Sequence, residues 1–324
     1  MKRIVCFGGG NALSKLILRP FKKNPHLEIV SINSMVDDGG SAGALKKEFN
    51  TLPAGDIRRH LLALADLPKK ERWKEKIWNF RFSREIEFSP QHFGHNFANA
   101  FLTALEVNYG FEKALKICHQ FLKVKGKCLP ATVENTTLFA ELEDGKIIKG
   151  EFEIDLGQNH NRNLKIKRIF LKPKVKAYFP TLRAIKRADF IIIGPGDLYS
   201  SLLPCFLPQG MKKALSISRA KKIFICPAMT KLGETQGFSI RDFEREAERY
   251  MGCKLDFVIY NTGIDKRKVE RYKKEKEKEF ILEPPEINND LEPEKFIGRD
   301  LVSKEMMEYQ ERKLKRVLRQ VMGL

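Results

Sequence analysis

Apolar runs that end in glycine-rich or polar loops recur along the chain. They cover residues 4–7, 190–193, 222–226 and 257–260, and the first is followed after three glycines by apolar positions at helical spacing. Continuous apolar runs of this length are typical of strands that are buried on both faces of a parallel sheet. The pattern predicts an α/β fold with a doubly wound, mostly parallel Rossmann-like sheet. We expect its strand ends to converge on one ligand-binding crevice.

The hydrophobic pattern changes twice between the run at residues 4–7 and the run at residues 190–193. Residues 56–121 have the apolar spacing of helices and predict a helical subdomain. Residues 127–171 consist of short runs broken by turn sequences and predict a small antiparallel β insert. We expect a nucleotide-binding domain over residues 1–264 and a charged, helical C-terminal extension over residues 265–324. An amphipathic helix is predicted to begin at Ser303.

Composition narrows the class of protein. The 324 residues are 42% hydrophobic, so a substantial core is expected, and the formal net charge of +19 favours polyanionic or phosphate-bearing partners. Much of this charge lies in runs interleaved with glutamate, such as residues 266–276, which favours a solvated helix face over a nucleic-acid site. The six cysteines form no C-x-x-C pair and indicate neither a disulfide framework nor a zinc site. A short N-terminal apolar run and the lack of a membrane-spanning run predict a cytoplasmic location.

The first glycine turn is a candidate phosphate site. Glycines allow the backbone to approach an anion closely, and the following helix directs its unpaired amides and positive dipole end toward it. A tight turn without a ligand is the alternative, because Leu13 stands where the dinucleotide fingerprint has a small residue. The candidate ligand-binding residues here are Gly8, Gly9, Gly10, Asn11 and Ser14.

A second loop places two carboxylates beside glycines. Asp37 and Asp38 could hold a hard metal ion, bind a ribose hydroxyl or act as a general base, whereas the alternative is helix capping by Asp38 or Ser41. Asp56 adds another acid at a predicted helix start, and Arg58 could pair with a phosphate or with an acidic neighbour. The candidate ligand-binding residues of these segments are Asp37, Asp38, Gly39, Gly40, Ser41, Asp56 and Arg58.

Two later segments add polar groups. His95 and Asn99 are four residues apart on a predicted helix, and Asn96 lies between them, so a base or phosphate contact competes with a structural role. The loop after the run at residues 190–193 carries amides and hydroxyls at a helix start, which suits an anion or a sugar. The candidate ligand-binding residues of these two segments are His95, Asn96, Asn99, Gly194, Gly196 and Tyr199.

In their order along the chain, these loops resemble those of one protein family, which includes both the gluconeogenesis factor YvcK and the 2-phospho-L-lactate transferase CofD. The resemblance covers about residues 3–262, and GDIR and GETQGF are closer to the gluconeogenesis factor branch. It rests on the motifs GGGNALS, DDGGSAG, LPAGDIR, GHNFAN, LPAT, IGPGDLYSS and GETQGF.

The resemblance implies two different functions for the same crevice. The regulator branch implies binding of a UDP-sugar or a dinucleotide such as NAD, with roles in carbon metabolism and cell shape and without established catalysis. The transferase branch implies Mg²⁺-dependent transfer of a phospholactyl group from a guanylylated donor, with Asp37, Asp38 and Asp56 as metal ligands. We favour the regulator; the transferase and an RNA-binding basic protein are the alternatives. No catalytic residue is assigned, no membrane span is expected, and formation of a homodimer is left open.

Overall fold

The fold is described from a computed structural model. It describes residues 1–82, 94–157, 159–264, 269–270, 282–303 and 308–324. Most of the lysine-rich run at residues 266–276 therefore lies outside the described residues.

Ten strands are present in the described ranges. They are β1 (Lys2–Phe7), β2 (Leu27–Asn33), β3 (Lys127–Pro130), β4 (Thr137–Leu142), β5 (Ile147–Lys149), β6 (Ile166–Lys172), β7 (Phe190–Ile193), β8 (Lys221–Ile225), β9 (Phe257–Asn261) and β10 (Phe296–Arg299).

Helices connect most of these strands. Three consecutive helical stretches, Gly10–Leu13, Ser14–Leu18 and Arg19–Phe21, follow one another without a break and are together called α1. Further helices are α2 (Gly40–Phe49), α3 (Gly55–Leu64), α4 (Trp73–Asn79), α5 (Phe97–Tyr109), α6 (Phe111–Leu122), α7 (Glu151–Asp155), α8 (Phe179–Arg187), α9 (Met211–Ile217), α10 (Ile240–Met251) and α11 (Glu311–Met322), and short helical turns cover Lys69–Glu71, Leu198–Leu202 and Leu203–Phe206.

Seven strands form one parallel sheet in the order β10-β9-β8-β7-β1-β2-β3. From β1 the chain first adds β2 and β3 on one side, and later adds β7 to β10 on the other. The order of the strands therefore reverses between β1 and β7. In open α/β sheets the loops diverge at such a point and leave a crevice at the carboxyl ends of the strands. The predicted doubly wound, mostly parallel sheet is confirmed.

Both faces of the central strand are buried, as its continuous apolar sequence requires. Val5 and Phe7 belong to the core on one side of the sheet, whereas Ile4 and Cys6 belong to the core on the other side. Side chains of successive strand residues point to opposite faces, so a strand covered on both sides needs apolar residues at every position. This packing fixes where β1 ends and where the glycine turn begins.

The small antiparallel sheet is also present, with one difference from the prediction. It has the strand order β5-β4-β6, and α7 follows β5. Residues 127–130 do not belong to it, because β3 pairs in parallel with β2 at the edge of the main sheet. A four-residue edge strand has no long apolar run that would distinguish it from the short runs of the insert. The insert is therefore made by β4, β5, α7 and β6.

The C-terminal stretch adds more than a helix. Strand β10 pairs with β9 and completes the main sheet, and α11 contributes Leu314 and Leu318 to the core beside α1. The last helix begins at Glu311 and not at Ser303, whose backbone N–H donates to the carbonyl of Glu308 instead. The division into residues 1–264 and 265–324 stays a prediction. Within the described ranges, no helix combines the length and apolar character needed to cross a membrane.

Candidate functional site

Two adjoining cavities lie at the carboxyl ends of β1 and β7, where the strand order reverses. We call the larger, of about 770 Å³, the basic lobe and the smaller, of about 500 Å³, the acidic lobe. They share a wall formed by Gly10, Asn11, Ala12, Arg58, Arg59, Arg81, Pro195, Gly196 and Asp197. The shared wall therefore joins the glycine turn after β1 to the loop after β7, as the sequence predicted for an open parallel sheet.

The glycine turn is held from below by a buried histidine. His60, on α3, is fully buried, and its Nε2 lies 3.2 Å from the carbonyl oxygen of Gly9. The side-chain amide of Asn33, at the end of β2, donates to Nδ1 of His60 at 2.8 Å. Burial lowers the pKa of His60 to about 4, so the ring is neutral and donates from Nε2 at neutral pH. His60 is a supporting residue that the sequence analysis missed, because no local motif marks it.

Close packing explains why the turn is made of glycine. A Cβ atom at Gly10 would lie 2.6 Å from both Oδ1 of Asp56 and Cδ of Arg59. Real side chains do not approach so closely, so a larger residue here would displace α3. The helix α1 begins at Gly10 and has no acidic residue in its first turn. The first residues of α1 lie on the shared wall. No carboxylate of their own helix accepts a hydrogen bond from their free backbone amides.

Arg58 is a buried cation that forms no ion pair with a carboxylate of the described residues. It is only 6% exposed and lines both lobes, yet no ion pair joins its guanidinium to a carboxylate in the described part of the chain. Its Nε has no hydrogen-bond partner there either. Burial, together with the nearby Arg59 and Arg81, lowers the pKa of Arg58 to about 10 against the smaller opposing effect of Asp56 and Asp37, which leaves it charged at neutral pH. A buried charge of this kind is costly unless a ligand neutralises it.

The acidic lobe contains carboxyl groups that oppose one another's ionisation. Burial, with the charge of Asp56, raises the pKa of Asp37 to about 6. Burial, with the charge of Asp37 and then Asp155, raises the pKa of Glu151 to about 9. Glu151 and Asp155 come from α7 of the antiparallel insert and were not among the predicted site residues. Only the tertiary fold brings them beside the loop after β2.

Adjacent aspartates have different surroundings. Asp37 lines the acidic lobe and accepts the N–H of Gly39 at 3.0 Å. Asp38 lines neither lobe, because its carboxylate accepts the backbone N–H groups of Glu151 and Phe152 at 3.2 and 2.8 Å. It thus caps the start of α7 and attaches the insert to the main domain. The capping alternative considered for Asp38 describes its contacts, although the helix that it caps is α7 and not α2.

The polar residues at the start of α5 also divide into two groups. Asn96 caps α5 through its side-chain oxygen, which accepts from the amides of Ala98 and Asn99. Asn99 lines the acidic lobe and donates from Nδ2 to Oγ of Ser41 at 3.1 Å. Ser41 Oγ also lies 3.0 Å from Nδ1 of His95. Ser41 therefore links α2 to the segment that carries His95 and Asn99.

The loop after β7 is fixed by a buried glutamate from the GETQGF segment. Glu234 is 1% exposed and accepts the backbone N–H groups of Tyr199 and Ser200 at 2.9 and 3.2 Å. The hydroxyl of Tyr199 donates to Glu246, away from the crevice. The GETQGF segment thus holds the second glycine loop in place.

Lys231 stands among three carboxylates. It forms ion pairs with Asp155, with Asp197 at 3.0 Å and with Glu234 at 3.0 Å. Burial alone lowers the pKa of Lys231, but the charges of Glu234, Asp197 and Asp155 more than offset this and raise it above its ordinary value. Because the three carboxylates also lie close enough to one another to hold a metal ion, Lys231 occupies the position that a cation would take.

Most predicted site residues line the crevice. Those that line at least one lobe are Gly9, Gly10, Asn11, Ser14, Asp37, Gly39, Gly40, Ser41, Asp56, Arg58, Asn99 and Gly196. Those that line neither lobe are Gly8, Asp38, His95, Asn96, Gly194 and Tyr199. That the residues lining the lobes bind a ligand stays a prediction.

A scan against protein-family models matches residues 4–296 to the family described as 2-phospho-L-lactate transferase CofD. The chain belongs to this family.

Named relatives lie in the gluconeogenesis factor branch. A Thermotoga maritima protein with the provisional name of gluconeogenesis factor is 37% identical over 297 residues, which is 91% of this chain and 90% of that protein. The Bacillus subtilis protein named gluconeogenesis factor is 34% identical over 312 residues, 95% of this chain and 92% of its own length. A crystal structure of a Bacillus halodurans protein matches with a TM-score of 0.85 and 33% identity, covering 98% of this chain and 99% of that one. Another structure of that protein describes it as a UPF0052 family member.

Proposed function

We propose that this protein is a regulator of the gluconeogenesis factor type that binds a nucleotide sugar or a dinucleotide in the crevice between β1 and β7. The observation that carries this proposal is Arg58, a buried cation without an anionic partner in the described ranges, on the wall that both lobes share. A diphosphate on this wall would supply the missing charge. The amides at the start of α1 would add hydrogen bonds to it.

The names of the relatives support a role in carbon metabolism. The resemblance of the sequence motifs to the regulator branch extends the proposal to cell shape, as an output of ligand binding. The crevice also has the size and the mixed lining of a small-molecule site, since the basic lobe contains Leu62, Pro227 and Met229 beside its cations. An apolar stretch of this kind suits a nucleobase, whereas the shared wall suits phosphate.

Calorimetric titration tests the proposal. UDP-N-acetylglucosamine, NAD and GTP are titrated into the wild-type chain and into Asn11→Ala, each with Mg²⁺ and with EDTA. We expect selective binding of the UDP-sugar or of NAD in EDTA, weakened in Asn11→Ala because Asn11 lies on the shared wall. Absence of binding by all three ligands would contradict the proposal.

One observation favours the transferase as a second candidate. Asp37 and Asp56 both line the acidic lobe, and carboxylate oxygens are the ligands that Mg²⁺ prefers. Asp37 and Asp56 are the residues that would hold such an ion, whereas Asp38 is already occupied as the cap of α7. When bound, Mg²⁺ would neutralise charge on a diphosphate group.

The transferase candidate has its own test. It predicts that GTP-type ligands bind only with Mg²⁺, and that this binding is lost in Asp37→Asn and Asp56→Asn. It also predicts Mg²⁺-dependent turnover of a guanylylated donor. Equal binding of GTP in Mg²⁺ and in EDTA, or retained turnover in both variants, would exclude it.

A further inference from the structure

We propose that Phe152 is the residue on which the second group of the nucleotide ligand, the group beyond the diphosphate, stacks. In a nucleotide sugar this group is the sugar ring, and in NAD it is the nicotinamide riboside. The inference rests on the proposed function, because it names a specificity-determining side chain of the same site. Phe152 lies on α7 of the insert, outside the loops that the sequence analysis singled out.

Phe152 is the one large apolar residue among the described residues that line the acidic lobe. The others are glycine, alanine, proline, or residues with polar or charged side chains. Although Phe152 belongs to a cavity wall, it is 49% exposed. Small-molecule sites typically combine apolar or aromatic surface with a few polar groups, and an aromatic ring offers a large apolar face to a ligand. The half-exposed ring is therefore a surface that a ligand can cover.

Two contacts hold Phe152 beside the loop after β2. Its backbone N–H donates to Oδ1 of Asp38 at 2.8 Å. A Cβ atom at Gly39 would lie only 3.2 Å from Cδ2 of the Phe152 ring, so the missing side chain at Gly39 lets the ring approach the loop closely. A Cβ atom at the next residue, Gly40, would have no neighbouring atom within 4 Å. The ring is thus anchored on the loop, and the lobe beside that loop has free space.

The position proposed for the diphosphate decides which part of the ligand reaches Phe152. The diphosphate lies on the shared wall at Arg58, and the nucleobase lies against the apolar stretch of the basic lobe. Phe152 lines only the acidic lobe, on the other side of this wall. The second group therefore extends toward Phe152. The C–H face of a sugar ring, or the flat nicotinamide ring, can cover the aromatic face while its polar groups contact the polar lining.

Ligands with and without the second group test the inference. UDP-N-acetylglucosamine is compared with UDP, and NAD with ADP, by calorimetric titration into the full chain in EDTA. In Phe152→Ala we expect the affinity for the complete ligand to fall by about tenfold, because the apolar contact with its second group is lost. The affinity for UDP or ADP should stay the same, since neither reaches Phe152. Phe152→Tyr keeps the ring and should retain the affinity for the complete ligand.

Leu156→Ala is the matched control, because Leu156 is 41% exposed, lies one helical turn after Phe152 and lines neither lobe. It should leave every affinity unchanged. Three results in the variants would overturn this inference alone: an unchanged affinity of Phe152→Ala for the complete ligand, an equal loss for the ligand that lacks the second group, or a loss that Phe152→Tyr does not restore. If neither UDP-N-acetylglucosamine nor NAD binds to the wild type, the proposed function fails and this inference fails with it.

Discussion

Two buried cations of the crevice, both on the lining of the basic lobe, differ in how their charge is compensated. Lys231 lies among three carboxylates of the protein, whereas Arg58, on the shared wall, has no anionic partner in the described ranges. Removal of a cation that the protein itself neutralises leaves its carboxylates uncompensated and destabilises the fold. A buried cation that lacks a partner is a cost to the fold and is available to a ligand. The comparison therefore separates a structural charge from a candidate binding charge within one crevice.

The largest expected effect is the loss of Lys231. Lys231→Met leaves three neighbouring carboxylates without their cation, and we expect the free energy of unfolding to fall by about 3–5 kcal/mol. Chemical denaturation measures this change, with Lys213→Met on the exposed surface of α9 as the control. Millimolar Mn²⁺ should restore part of the stability of Lys231→Met alone, because the carboxylates can then bind the ion. A loss below about 1 kcal/mol would show that Lys231 is not the structural charge we describe.

Replacement of Arg58 should leave stability intact and weaken ligand binding, in contrast to the replacement of Lys231. Arg58→Met removes an uncompensated buried charge, so we expect the melting temperature to stay the same or rise. The affinity for the nucleotide ligand should fall by about tenfold to a hundredfold, as expected for lost hydrogen bonds to a charged group. Calorimetry and thermal unfolding are measured on the same preparation, with the exposed Arg316→Met as the control. Loss of stability together with retained affinity would reverse the roles assigned to the two cations.

The neutral histidine beneath the glycine turn makes a pH-dependent contribution. The pKa of His60 is about 4 in the folded protein and about 6.5 in the unfolded chain. Below pH 6.5 the unfolded chain takes up a proton that the folded protein does not, so stability is complete above pH 6.5 and falls as the pH falls toward 4.

His60→Gln should remove this dependence. We expect the difference in the free energy of unfolding between wild type and variant to change by about 2.5 kcal/mol across this range. Denaturation at a series of pH values checks it, because the other titrating groups cancel in the difference. A difference that does not vary with pH would show that His60 is not held neutral by burial.

The smallest expected effects distinguish the adjacent aspartates. Asp38→Asn weakens the cap of α7 and should lower the free energy of unfolding by about 1 kcal/mol. Asp37→Asn removes a carboxylate whose pKa is raised to about 6, so its stability should equal or exceed that of the wild type above that pH. Each variant serves as the control for the other. Equal losses in both would mean that Asp37 is also a structural residue.

Local sequence patterns were sufficient for much of the fold and for one side of the crevice. The glycine turn, the start of α1 and the loop after β7 lie next to apolar strands, so the ends of those strands could be placed. The contribution of α7 to the acidic lobe could not be predicted, because Glu151 and Asp155 reach it through the packing of the insert. His60 was missed for a similar reason: its contacts with Gly9 and Asn33 join three separate segments.

Edges and terminal segments were the least predictable parts of the fold. Strand β3 is short and lies at the edge of the main sheet, and β10 follows a highly charged stretch. Neither has the long apolar run that marks a central strand. The separate roles of adjacent residues could not be predicted either. The sequence Asp37-Asp38 does not indicate that one carboxylate lines the cavity and the other caps α7.

The most direct test of the central claim is a crystal structure of the wild-type chain with UDP-N-acetylglucosamine, grown in EDTA. The account predicts that the diphosphate lies on the shared wall, within hydrogen-bond distance of Arg58 and of amides at the start of α1, with the N-acetylglucosamine in the acidic lobe. A ligand bound outside the crevice, or a diphosphate that leaves Arg58 without a contact, would contradict it.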